Sequence, residues 1–440
     1  MKRPLMTLVG LCAMLFARPA AAGIEDTFGL GPRAMALGGS YAARPGDYAA
    51  AYYNPAGLAP GGAVAEHGGF FELTVGVEYA RPTLHVTGAS GQSLGTPNVA
   101  NTGGALLGAR FSVGQPFHLD GLDMGISLFV PGNLFRWSVR PDDDVQWALL
   151  TDRTQVLSAH VGLGYKVARW LSIGAALRIS FATQTNTTGH VTGVGIATDP
   201  TTGNQVVQTS TQLGTDAEVY GSVTPDFGIL LTPIDALRLG VVYRHQSYVD
   251  DWGTTRITGV PDIGELGYSS HYAHYFEPTE VTFALGADLG AGVDVSSDLT
   301  YGHWKSALST NRNFFGDSIW GDTWTPAFGV RWRAAPVVAL MAGYRYQKSP
   351  IDNFGGPSNL LDNDRHVPST GVEIDLSKVV PALDARLTIG LAEVLLVERT
   401  ETKDFRRFPS DAALVGNPGY PSYSYGGHLL AGSAAVEARW

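Results

Sequence analysis

The chain has 440 residues, of which 44% are hydrophobic and only 16% charged, with 55 glycines and a formal net charge of −10. That charge excludes a nucleic-acid partner, which would require clustered lysine and arginine. The composition is too apolar and aromatic for a disordered chain. Beyond the N-terminus, glycines, prolines and charges interrupt every apolar run, which excludes membrane-spanning helices.

Lys2 and Arg3 precede an apolar stretch from Leu5 to Ala17, and Ala20-Ala21-Ala22 offers an A-x-A cleavage site before Gly23. This is the order of a secretory signal peptide over residues 1–22. Its apolar part is shorter than the roughly 20 residues a spanning helix needs. Cys12, the only cysteine, follows Leu11 where lipid attachment requires a small residue. Cleavage would remove Lys2, Arg3 and Arg18, taking the net charge from −10 to −13, and would leave no cysteine for a disulfide.

Residues 23–65 form a second part, rich in Ala and Gly and without alternation. A short helix is predicted over Tyr48–Tyr53. Asp47 would be its N-cap, and Pro55 would end it, because the residue before a proline is pushed out of the helical region.

From residue 66 to 440 the pattern changes to period two. Leu171, Ile173, Ala175, Leu177 and Ile179 alternate with Ser172, Gly174, Ala176, Arg178 and Ser180; Leu237, Leu239, Val241 and Tyr243 alternate with Arg238, Gly240, Val242 and Arg244. Successive side chains of a strand point to opposite faces, so each run has one greasy and one polar face. Fourteen strands are predicted, centred near Leu73, Leu107, Ile126, Val161, Leu177, Tyr220, Val241, Phe283, Leu299, Val330, Leu340, Val372, Leu387 and Val436. Tight connections at 167–170, 232–235, 290–292 and 334–336 alternate with long polar stretches at 183–212, 247–275, 306–323, 348–367 and 399–424. Those stretches are expected to be outer loops.

A soluble sandwich would turn its polar faces to water. An outer-membrane barrel turns its greasy face to lipid and its polar face to the lumen. The even strand count, the alternation of short and long connections and the export signal favour the barrel, an all-β membrane protein of fourteen antiparallel strands. Trp137, Trp170, Trp304, Trp324 and Trp332 fall near strand ends, as interfacial girdles require. The last strand ends on the aromatic Trp440 and resembles the signal read by the outer-membrane assembly machinery.

Several local patterns fail on context. Gly91-Gln92-Ser93-Leu94-Gly95 matches a nucleophile elbow but sits in a polar loop, and Gly29-Leu30-Gly31-Pro32-Arg33-Ala34 has no preceding strand for a dinucleotide site. His271, His274 and Glu277 have ligand-like spacing but read as a solvated loop; Asp142-Asp143-Asp144 reads as hydrated loop before a Ca²⁺ site. No enzyme, metal or cofactor is expected. Arg178, Arg238, Arg244, Arg331, Arg333 and Arg345 share polar faces with Asp288, Asp294 and Asp298, suggesting a lumenal salt-bridge network. Arg178, Arg244 and Arg345 are the candidates to meet a ligand carboxylate instead.

The N-terminal segment carries a more specific signal. Arg33-Ala34-Met35-Ala36-Leu37-Gly38-Gly39 followed by Asn54-Pro55-Ala56-Gly57-Leu58 resembles the start of the FadL family, outer-membrane transporters of long-chain fatty acids and, in the TodX branch, aromatic hydrocarbons. The resemblance implies a barrel plugged by an N-terminal, partly helical hatch, here residues 23–65. It also implies that ligand is captured at outer loops, enters an apolar lumenal pocket and leaves sideways into the bilayer at a kinked third strand beside the hatch Asn54, Pro55 and Ala56. The predicted third strand, Met124 to Val139, contains Pro131-Gly132, which would interrupt its ladder. Ile24 and Phe28 are the candidate pocket residues at the N-terminus. Passive transport of hydrophobic small molecules is therefore expected, fatty acids ahead of aromatic hydrocarbons. Partners would be that ligand, outer-membrane lipid and lipopolysaccharide. A structural or adhesive barrel with a permanent plug is the alternative, and a hydrophilic porin is disfavoured by the hatch.

Overall fold

The computed structural model describes residues 27–59, 71–95, 99, 101–113, 121–132, 145–147, 157–198, 205–260, 264–306, 320–351, 359–380, 383–403 and 417–439. The expected signal peptide, Ile24, the end of the 23–65 segment, Trp137, the aspartates at 142–144 and Trp440 lie outside the described residues.

The strands are β1 (Phe71–Gly88), β2 (Thr102–Ser112), β3 (Leu122–Pro131), β4 (Gln146–Trp147), β5 (Ser158–Ala168) and β6 (Leu171–Thr198). They continue as β7 (Gln205–Ile234), β8 (Leu237–Arg244), β9 (Ser247–Val260), β10 (Gly264–Glu277), β11 (Thr279–Asp288) and β12 (Val293–His303). The remainder are β13 (Thr323–Trp332), β14 (Val338–Gln347), β15 (Leu360–Leu361), β16 (Arg365–Asp375), β17 (Ala385–Thr402) and β18 (Ser422–Arg439). One sheet holds sixteen of them in the order β10-β9-β6-β5-β3-β2-β1-β18-β17-β16-β14-β13-β12-β11-β8-β7, and β6 also pairs with β7. That last pairing closes a ring of fourteen strands, with β9 and β10 branching from β6. The seam between β6 and β7 is held by the Thr232 amide, which donates to the Trp170 carbonyl at 2.8 Å, and by Arg178, which donates to Thr224 at 3.2 Å. Each of the fourteen predicted centres falls within a different strand of the ring.

The alternation is realised as the residue pattern demands. Ile173 and Leu177 are 43% and 48% exposed on the outside, whereas Ala176 and Arg178 between and beside them are 3% exposed. Trp170, Trp324 and Trp332 are exposed near strand ends, as an interfacial girdle requires.

Two compact units emerge from the fold. One comprises residues 1–179, 223–246 and 277–440; the other comprises Ser180–Ser222 and Ser247–Phe276. Within the second, β6 and β9 run parallel from Gln184 opposite Trp252 to His190 opposite Thr258. This corrects the expectation of polar loops at 183–212 and 247–275. The first stretch is rich in threonine and valine and the second carries four tyrosines, residues that favour a pleated backbone, and the chain extends its strands there.

The N-terminal segment also differs in detail from its prediction. It contains two helices, Pro32–Ala36 and Ala50–Tyr53, and a 3₁₀ turn, Pro55–Leu58. Asp47 caps a turn at Tyr48 and Ala49 that leads into the helix. Its carboxylate accepts from the Ala49 amide at 3.0 Å, and the regular helix begins at Ala50. Pro55 does end that helix: Asn54 is extended, at φ −163° and ψ 102°, and its side chain caps the 3₁₀ turn.

This segment packs against inward-facing wall positions that have no side chain. Gly343 on β14 lies against the backbone of Leu37 and Gly38, and Gly371 on β16 lies against Ala36 and the backbone of β17. A Cβ at Gly343 would overlap main-chain atoms, which cannot rotate away. We expect Gly343→Leu to destabilise the folded barrel by about 1–3 kcal/mol or more. Gly46→Ala, with nothing within 4 Å of its added methyl group, should leave the barrel unchanged. The unfolding midpoint read from heat-modifiable migration in detergent gels checks both.

Candidate functional site

The inward face of β18 passes through three chemistries. Arg439 and Glu437 come first, then the small Ala435, Ser433 and Ala431, then Leu429, Tyr425 and Tyr423, all buried. β2 and β3 repeat the order. On β2 it runs Arg110, Gly108, Leu106, and on β3 Asp123, Gly125, Ser127, Phe129. Tight connections such as Gly290–Gly292, between β11 and β12, lie at the charged end. Short turns face the periplasm in single-chain bacterial barrels, so on these strands the charged residues lie toward the periplasm and the apolar ones toward the outside, where residues at and beside β16 and β17 add a second buried charged group, Asp362 with Arg365 and Arg399 with Glu401.

The apolar layer gathers Leu106, Phe129, Val394, Leu396, Leu429, Tyr423 and Tyr425 from the wall with Trp147 and Leu361 from β4 and β15. β4 and β15 pair in parallel as a separate two-stranded sheet. The Trp147 and Tyr425 rings meet edge to face at 5.8 Å. Phe28 and Leu30 of the N-terminal segment belong to the same cluster.

Below this layer the wall supplies the hydrogen bonds that the irregular N-terminal backbone lacks. Asp298 on β12 accepts from the Tyr41 and Ala42 amides, each at 2.9 Å, and from the Ser40 hydroxyl at 3.3 Å. Glu78 on β1 accepts from the Gly31 amide at 2.7 Å. Arg110 donates to the Leu58 carbonyl at 2.9 Å and the Gly46 carbonyl at 3.1 Å. In the charged layer Arg33 bridges Asp47 at 2.7 Å and Glu373 at 2.8 Å. Burial pushes the Asp47 carboxyl upward against the pull of Arg33, and it drives the Tyr41 and Tyr48 hydroxyls well above their usual range. These tyrosines therefore stay neutral donors and acceptors.

The expected salt-bridge network is present in part. Asp294 meets Arg44 at 2.6 Å and Arg331 at 3.5 Å. Asp288 and Arg333 are exposed near turns, outside the lumen, because the strands end at Asp288 and Trp332. The three arginines proposed for a ligand carboxylate are engaged. Arg178 pairs with Glu277 and donates to the His245 carbonyl at 2.6 Å. Arg244 donates to Glu280 at 3.2 Å and to the Tyr52 carbonyl at 2.9 Å, with its guanidinium 4.0 Å from the Tyr52 ring centre. Arg345 donates to the Thr27 carbonyl. Glu277, one of three residues with ligand-like spacing, is thus an ion-pair partner. Among the described residues no cluster could hold a metal.

The hatch residues and the third strand meet differently from the expectation. β3 ends at Pro131 and Gly132 begins a turn, so the pair marks the end of the strand; residues 133–139, predicted to continue it, lie outside the described residues. Asn54 is fully buried and donates to the Ala42 carbonyl at 2.8 Å and the Ile229 carbonyl of β7 at 3.4 Å, while accepting from the Ala56 amide at 3.1 Å. Pro55 and Ala56 lie against Gly174 on β6 and Gly228 on β7. It is Leu58, one turn later, that reaches Gly125 on β3 and Gly162 on β5. Sequence reasoning missed Leu58, Glu78 and the apolar layer itself. The available signal was lost alternation, as in Leu106-Leu107, Leu128-Phe129-Val130 and Val394-Leu395-Leu396-Val397, where both faces are apolar.

Residues 10–386 match the profile of the family described as outer membrane protein transport protein (OMPP1/FadL/TodX). The chain belongs to this family. It is accordingly an outer-membrane β-barrel of a family that transports hydrophobic compounds. Solved structures with the same fold include a Pseudomonas aeruginosa FadL homologue, at 16% identity and TM-score 0.57, covering 97% of this chain and 99% of that one. The P. putida toluene transporter TodX is 14% identical with TM-score 0.55, covering 94% and 99%. The Ralstonia pickettii toluene transporter TbuX is 13% identical with TM-score 0.55 and the same coverage. No curated protein matches the sequence.

Replacing Asp298 by Ala strands two buried amides, Tyr41 and Ala42, at a cost of about 1–3 kcal/mol each. The expected result is a barrel that still shifts on heating but whose N-terminal segment is cut by a protease added to detergent-solubilised protein at least several times faster than in the parent.

Proposed function

We propose that this protein carries long-chain fatty acids passively across the outer membrane, taking them into the apolar lumenal layer and releasing them sideways into the bilayer between β3 and β5. The observation that carries this reading is the inward-facing apolar layer, with Leu106, Phe129, Val394, Leu396 and Leu429 buried where a water-filled pore would show polar groups. An acyl chain gains about 0.8 kcal/mol for each CH₂ removed from water, so such a layer attracts it. The charged layer beneath repels it, since an alkyl chain offers nothing to hydrogen-bond with buried arginines and carboxylates.

The sideways route is supported by the ladder. β3 pairs with β2 as far as Pro131 opposite Gly104, but its described pairing with β5 stops at Phe129 opposite Ser158. Pro131 has no amide hydrogen to extend that ladder, and Phe129 places this point at the height of the apolar layer. Asn54 acts on the seam at a distance, by holding the Pro55–Leu58 turn whose Leu58 abuts β3 and β5. In this role it is a positioning residue. A second reading, uptake of aromatic hydrocarbons, is favoured by the aromatic lining, in which Tyr423, Tyr425 and Trp147 form consecutive ring contacts at 5.7 and 5.8 Å. The plug role of residues 27–59 belongs to the same proposal, resting on their packing against wall positions from β1 to β18.

Cells lacking their own fatty acid transporter and expressing this chain should take up labelled oleate above the vector control. Asn54→Ala and Pro131→Ala should each reduce that uptake several-fold while leaving a heat-modifiable barrel. Normal uptake in both variants would refute the sideways route. Absence of oleate uptake, with toluene accumulating instead, would move the substrate to the aromatic class. In planar bilayers the protein should show little steady ion current, and a large current would contradict a plugged lumen.

A further inference from the structure

Two of the most deeply buried side chains in the apolar layer do not come from the wall. Trp147 is 1% exposed and Leu361 fully buried, and they sit on β4 and β15, the two-residue strands outside the ring. β4 lies in the connection from β3 to β5 and β15 in the connection from β14 to β16, both at the end opposite the short turns. Four ring strands, β2, β1, β18 and β17, separate β3 from β16. The two connections meet nevertheless, in parallel, with Gln146 opposite Leu360 and Trp147 opposite Leu361. Both buried side chains thereby join the cluster that holds Leu106, Phe129 and Leu429.

β15 is fixed on both flanks. Before it, Asn359 donates to Asn417 at 2.8 Å; after it, Asp362 pairs with Arg365, and Asn363 donates to the Val397 and Tyr425 carbonyls at 2.9 and 3.1 Å. β4 adds to this fixed edge a ladder of two residue pairs and the Trp147 indole, edge to face with Tyr425 at 5.8 Å. A ladder that short is marginal on its own, and apolar burial is non-directional. An apolar solute that took the indole's place would cover the same layer, so parting β4 from β15 costs the ladder and little of the burial. We propose that β4 and β15 form a latch over the lumen: Trp147 and Leu361 stand in the site of an alkyl or aryl solute, and the pair parts to admit it. This rests on the reading of the lumen as a route for hydrophobic molecules.

The test joins the latch covalently. Cys12 is the only cysteine of the sequence, and a Gln146→Cys, Leu360→Cys variant places a pair in register on strands about 4.8 Å apart, within the span of a disulfide. In cells without their own fatty acid transporter, oxidation of this variant should lower uptake of labelled oleate about tenfold or more, because a site whose open state is no longer populated binds correspondingly weakly. A reductant should restore uptake, and the single-cysteine variants should not respond. Equal uptake in the oxidised and reduced forms, with the cross-link confirmed by mass spectrometry, would overturn the latch and leave the transport reading standing. If the parent carries neither oleate nor toluene, the transport reading fails, and hydrogen exchange on the parent in detergent micelles decides whether the pair parts. The same measurement serves if the double variant gives no heat-modifiable barrel. Peptides spanning 145–147 and 359–361 should exchange at matched rates and faster than the β17–β18 ladder; protection equal to that ladder would overturn the latch.

Discussion

A buried backbone must place every amide and carbonyl somewhere, and residues 27–59 have little regular helix with which to do so. The wall completes them. Asp298, Glu78, Arg110, Arg244 and Arg345 all spend side-chain hydrogen bonds on main-chain groups of this segment. Ser296 and Ser369 do the same for the Ser40 and Ala36 carbonyls, at 2.9 and 3.1 Å. The polar face of the barrel is therefore not simply a lining for water. It is the second half of a hydrogen-bonding scheme whose first half is the irregular N-terminal chain. Wall glycines let the two backbones approach closely enough for those short side chains to reach.

The same need explains how charges are arranged in the lumen. Charged groups in a low-dielectric interior persist only when paired, so the arginines and carboxylates gather in groups that share partners. Glu373 alone meets Arg33, Arg331 and Arg386. At the other end Phe129, Leu396 and Tyr425 are buried close to a second group of paired charges, where Arg365 meets Asp362, Arg399 meets Glu401 at 2.9 Å, and the Tyr425 hydroxyl donates to Glu401 at 3.3 Å. Pairing of this kind lets one barrel hold its N-terminal segment by ion pairs and still bury apolar side chains in the lumen.

Much of this was legible in the chain. Period-two alternation located all fourteen strands of the ring, because an outward residue that faces lipid must be apolar whatever its neighbours are. Inward residues obey no such single rule. Leu429 faces in and Leu430 faces out, and nothing local distinguishes them; the register with β17 does. The strands at 247–260 and 264–277 were hidden for the opposite reason. Their composition is polar on both faces, and polarity was read as loop. Asn54 was recognised as important, but its partners, Ala42 and Ile229, are 12 and 175 residues away. A side chain that bridges such separations is defined only once the ring closes.

The geometry around Leu58 shows how these constraints meet. The turn that carries it is set by Asn54, whose carbonyl oxygen caps it and whose amide nitrogen is fixed by Ala42 and β7. The Arg110 guanidinium, itself paired with Asp123 of β3 at 3.3 Å, binds the Leu58 carbonyl. The side chain is thereby held against Gly125 and Gly162, at the boundary of β3 and β5 where residues on either side are glycine and no wall side chain competes. If solute leaves the lumen at this seam, the N-terminal segment is what shapes its path. Loosening the capped turn would then change the seam before it changed the barrel, since the ladder hydrogen bonds of the ring do not pass through residues 54–58.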